Sequence, residues 1–79
     1  MSVKLIALLS RKNKALEAQV AEIVRQEPIL REGGRTQARA LTFELGGEKE
    51  AINARMRLYN AMRKAGEGVQ VKLEGISYS

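Results

Sequence analysis

Val3-Lys4-Leu5-Ile6-Ala7-Leu8-Leu9-Ser10-Arg11-Lys12-Asn13 is the stretch on which the fold turns. As the start of a helix it opens an α-β-β-α-β chain. As a strand it opens β-α-β-β-α-β. At about 100° per residue, Leu5, Leu9, Leu16, Val20 and Ile23 fall within roughly 60° of one another, with Ile6 and Val24 alongside. The phase carries through the polar break at Lys12-Asn13, and most of the residues are good helix formers. The spacing therefore predicts one amphipathic helix over residues 3–26. It ends at Glu27-Pro28, because the residue before a proline is pushed out of the α region. Leu8 lies off this stripe. In the alternative, residues 3–9 are a buried strand, residues 10–13 a loop, and Asn13 the N-cap of a shorter helix.

Downstream of Pro28 the signals are those of a hairpin. Residues 29–32 and 35–45 flank Gly33-Gly34, and two glycines tolerate the positive φ angles of a tight two-residue turn. That turn would set Leu30 opposite Gln37, on the face of Leu41 and Phe43. Leu41, Phe43 and Leu45 alternate with Thr42 and Glu44, as in a half-buried strand. Gly46-Gly47 then breaks the chain. A second helix is predicted from Glu48 to Ala65, with Glu48 and Glu50 in its first turn, Arg63 and Lys64 in its last, and Gly66 as C-cap. Residues 69–73 alternate again and read as a strand. Residues 74–79 follow as a tail.

The expected fold is thus a single small α+β domain over residues 1–79, with two helices packed on a three-stranded, largely antiparallel sheet. The alternative is the ferredoxin-like β-α-β-β-α-β order. A chain of 79 residues with 44% hydrophobic content buries a thin core, and dimerisation is a common supplement. Phe43, Tyr59 and Tyr78 are its aromatics, so that core is aliphatic.

Composition narrows the function. The chain has no histidine, cysteine, tryptophan or aspartate. The usual triads, thiolate or imidazole metal sites and imidazole bases are therefore excluded, and so are disulfides. A non-enzymatic protein is expected, with no cofactor, metal or small-molecule substrate. The apolar run near the N-terminus is too short for a signal h-region or a membrane span, which suggests a cytoplasmic protein. The first helix lacks an aromatic anchor for a membrane surface.

The 14 Lys+Arg outnumber 9 acids, for a net charge of +5 and a pI near 10.0. They are clustered. Lys4, Arg11, Lys12 and Lys14 precede the first glutamate; Arg55, Arg57, Arg63 and Lys64 form a second group. Arg31, Arg35 and Arg39 surround the hairpin turn, where a basic ribbon can grip phosphates or guard a sheet edge. On the second helix Arg57 and Lys64, with Asn53 and Asn60 between them, make a polar ridge able to follow a phosphate backbone. Its apolar arc covers more than half of the circumference, which marks Leu58, Ala61 and Met62 as a candidate protein interface. Gly46-Gly47 lacks a phosphate-loop pattern, and Glu48 and Glu50 would repel an anion there. Base stacking of the RRM type is disfavoured for want of paired aromatics.

Two functions follow as expectations. The first is a nucleic-acid-binding module making sequence-neutral phosphate contacts. The second is a protein-binding module, such as a small inhibitor or adaptor of viral or mobile-element origin that docks on a larger protein. A homodimer is compatible with either.

Overall fold

The opening segment is a strand. In the computed structural model, which describes residues 2–35 and 37–75, the elements are β1 (Val3–Leu8), α1 (Lys14–Val24), β2 (Leu30–Glu32), β3 (Ala40–Leu45), α2 (Glu48–Ala65) and β4 (Gln70–Glu74). The long helix over 3–26 is therefore corrected to a strand, a loop and an eleven-residue helix. Leu5 and Leu9 misled because a spacing of four is one helical turn and also two pleats of a strand. Val3, Leu5 and Ala7 are buried on one face, while Lys4 and Leu8 are exposed on the other. Leu8, off phase for a helix, is in phase for a strand. Asn13 caps α1: its Oδ1 accepts from the amides of Ala15 at 2.8 Å and Leu16 at 3.2 Å. A side-chain acceptor there satisfies donors that lack a partner in the first helical turn.

The sheet has four antiparallel strands in the order β2-β3-β1-β4, against the expected three. The element order is that of the ferredoxin-like alternative. Both helices lie on one face. The core between the layers includes Leu5, Leu41, Phe43, Leu58, Met62 and Val20, all essentially without solvent contact.

The hairpin differs from expectation in register. Glu32 pairs with Ala40 and Leu30 with Thr42, so the connection spans residues 33–39. The Arg39 amide closes it on the Glu32 carbonyl at 2.7 Å. A glutamate of α1 holds it from outside: Glu17 Oε2 accepts from the Ala38 amide at 2.6 Å, and Ala38 is buried. Gly33 sits at φ +116°, and a side chain on Gly34 would collide with the Gln37 carbonyl. The glycines thus serve a wide loop and not a two-residue turn. One consequence is that Leu30 does not join Leu41 and Phe43. It stands exposed on the open sheet face, in one row with Thr42 and Ile6.

The second helix runs as expected, from Glu48 to Ala65, with Gly66 at φ 72° donating to the Arg63 and Met62 carbonyls. The last strand runs from Gln70 to Glu74, one residue beyond its expected end, and Gly75 follows it. The remainder of that tail, residues 76–79, lies outside the described residues, as does Thr36 of the hairpin.

Candidate nucleic-acid interface

Strand direction determines which loops meet. β1 ends at Leu8, which pairs with Ala40 at the start of β3 and with Gln70 at the start of β4. The β1–α1, β2–β3 and α2–β4 connections therefore emerge at one end of the sheet. They are tied together there. The Leu9 amide donates to the Arg39 carbonyl at 2.6 Å, and Arg11 Nη2 meets Glu67 Oε1 at 2.7 Å. Ser10 Oγ donates to the same glutamate at 3.4 Å. A shallow cleft at this end is lined by Leu8, Leu9, Ser10, Arg39, Gly68 and Gln70.

This end collects charge that is scattered in sequence. Arg11 and Lys12 come from the first connection and Lys14 from the start of α1. Arg35 and Arg39 come from the second connection, and Arg63 and Lys64 from the last turn of α2. The acids nearby are Glu67, held by Arg11, together with Glu17 and Glu32. Hydrogen bonding to Arg11, reinforced by its charge, keeps the Glu67 carboxyl below its ordinary value against the opposing effect of desolvation. The Lys12 side chain passes over the hairpin loop, its Cδ 3.5 Å from where a Cβ on Gly34 would lie. The capped N-terminus of α1 adds the positive end of a helix dipole.

The sequence-predicted residues divide accordingly. Arg35, Arg39 and Lys64 belong to this end. Arg31 does not: it lies on the helix side of β2, 3.1 Å from Glu27 and 4.0 Å from Glu17, so its charge is matched locally. Arg57 also leaves the expected ridge. It is half-buried, and its Nε donates to the Ile23 carbonyl at 3.3 Å, linking the two helices. Asn53 and Asn60 are exposed on α2, but without Arg57 they form no continuous ridge with Lys64. Of the expected protein interface, Leu58 and Met62 are in the protein's own core, and Ala61 packs against it.

Protein-family models, curated proteins and solved structures were all compared with this chain, and none matches. The site therefore rests on its own geometry. Among the described residues there is no group of three or more acidic, histidine or cysteine side chains that could hold a metal ion, and no helix long and apolar enough to cross a membrane. The residues of this end missed from sequence were Arg11, Lys12, Lys14 and Arg63. Arg11, Lys12 and Lys14 were counted as a basic cluster, but on one long helix nothing brought them to the hairpin loop. The signal that could have found them was Asn13, whose capping role puts Arg11 and Lys12 in a loop.

Proposed function

We propose that this chain is a non-enzymatic nucleic-acid-binding module that grips phosphates with its basic loop end. The observation that carries this reading is the convergence of Arg11, Lys12, Lys14, Arg35, Arg39, Arg63 and Lys64 at one end of the sheet. Lysines and arginines on short loops bind phosphates by charge and carry little base information. Chemistry finds little support, because the chain lacks imidazole, thiol and aspartate groups. The open sheet face offers little for base stacking. Its large apolar side chains are the aliphatic Ile6, Leu8 and Leu30, and Phe43 is buried on the other side.

The test is a binding titration against duplex DNA, single-stranded DNA and RNA, comparing two variants. Lys12→Ala/Arg35→Ala/Arg39→Ala should weaken binding by at least about tenfold near 100 mM salt, uniformly across sequences. Arg31→Ala, whose charge is already matched by Glu27, should change binding by less than about threefold. No binding by the intact protein at low salt, or equal losses in both variants, would reject the loop end as the site.

A further inference from the structure

The second helix presents a stripe that neither the core nor α1 uses. Ile52, Met56 and Tyr59 are 37%, 55% and 46% exposed. They occupy one flank of α2. The opposite flank meets α1 through Arg57 and Ala61. The stripe therefore lies on the β4 side, above the edge of the sheet. It is bracketed by charge: Glu48 opens it and Arg63 closes it. Spacings of four, four, three and four keep all five residues within roughly 80° of arc.

This stripe is complementary to itself. Two copies of α2 laid antiparallel about a two-fold axis near Met56 set Glu48 opposite Arg63 of the second copy. Ile52 then faces Tyr59, and Met56 meets Met56. An isologous contact requires one patch that matches itself under a two-fold. A patch for an unrelated partner has no reason to carry an acid and a base at nearly equal distances, eight and seven residues, on either side of Met56. The adjoining strand repeats the pattern. β4 is an outer strand of the sheet, and among the described residues its outer edge is unpaired. Lys72 and Glu74 share its open face. Antiparallel pairing about Leu73 would place Lys72 opposite Glu74 of the second copy, twice. Val71 and Leu73, half-buried on the helix side, would be covered further.

We infer that a second copy of this chain docks on the α2 flank and β4 edge, making a two-fold dimer. Apart from Arg63, which the dimer contact takes up, the basic loop ends stay free and point in opposite directions. The contact is independent of nucleic acid.

The test is sedimentation equilibrium of nucleic-acid-free protein from about 5 to about 200 μM in ~150 mM salt, with circular dichroism to verify folding. The wild type should dimerise within that range. Met56→Glu should weaken the dimer by at least about tenfold, since it puts like charges face to face on the axis. Glu48→Arg and Arg63→Glu should each weaken it, and the double swap should restore it to within about threefold of wild type. A wild type that stays monomeric throughout, a Met56→Glu protein that dimerises like wild type, or a double swap no better than the single changes would each overturn the proposal. The exchanged positions are at the surface, so loss of folding does not confound the reading.

Discussion

Arg25 follows the last residue of α1 at φ 68°, and its amide donates to the Ala21 carbonyl at 2.8 Å. A left-handed residue bearing a Cβ costs roughly 1 kcal/mol more than glycine there. Arg25→Gly should therefore be more stable than Arg25→Ala by about 1 kcal/mol, measured by urea unfolding of the two variants. Proline was expected to end this helix. The helix instead stops two residues before its expected end at residue 26, and Gln26 Nε2 donates to the Glu44 carbonyl at 2.7 Å, tying the backbone to the sheet. At the other end of the molecule, Glu67 titrates below its ordinary value of 4.5 because Arg11 donates to it. Its lowered value means that the pair stabilises the fold above the ordinary glutamate range. That contribution disappears as pH falls through the lowered value. Arg11→Ala should return the Glu67 titration toward 4.5, read by carboxyl NMR. The stability difference between wild type and Arg11→Ala should shrink on acidification below that range.

At the scale of elements, α2 shows how a wide apolar arc divides. Ala51, Ala54, Leu58 and Met62 enter the core, whereas Ile52, Met56 and Tyr59 remain at the surface. Periodicity locates the arc but not its midpoint, because large and small apolar residues are spread across its whole width. The sheet below selects the buried half. Leu58→Ala should therefore destabilise the protein by about 2–5 kcal/mol through a cavity in the core. Asn60→Ala, on the outer face, should stay within about 0.5 kcal/mol. Denaturant titration at low protein concentration separates the two. The hairpin illustrates a second limit. Gly33-Gly34 was legible as a turn, but the loop's width depends on Glu17 reaching Ala38 from another element.

Across the whole molecule, the antiparallel sheet sorts charge by end. Three connections that are far apart in sequence meet where β1 finishes and β3 and β4 begin. Lys4, counted with Arg11, Lys12 and Lys14 in sequence, goes to the opposite end, in register with Glu44 and Glu74. A protein holding about five phosphates at the loop end should show log K falling against log salt with a slope of roughly −4 to −5 on duplex DNA. Removing Lys12, Arg35 and Arg39 together should flatten that slope by about 3. A slope near zero in the wild type would contradict phosphate contact.

The sequence by itself determined the α+β class, the second helix with its caps, the alternation of β3 and β4, and the exclusion of histidine, cysteine and aspartate chemistry. These depend on composition and local spacing, and local physics settles them. The identity of the first segment, the hairpin register and the set of cations that converge were decided by the tertiary structure. Leu5 and Leu9 satisfy both a helix and a strand, so the choice falls to β3 and β4, which pair with β1 on either side. Register depends on which face finds a core. Charge convergence depends on strand direction, a property that no single segment of the chain possesses.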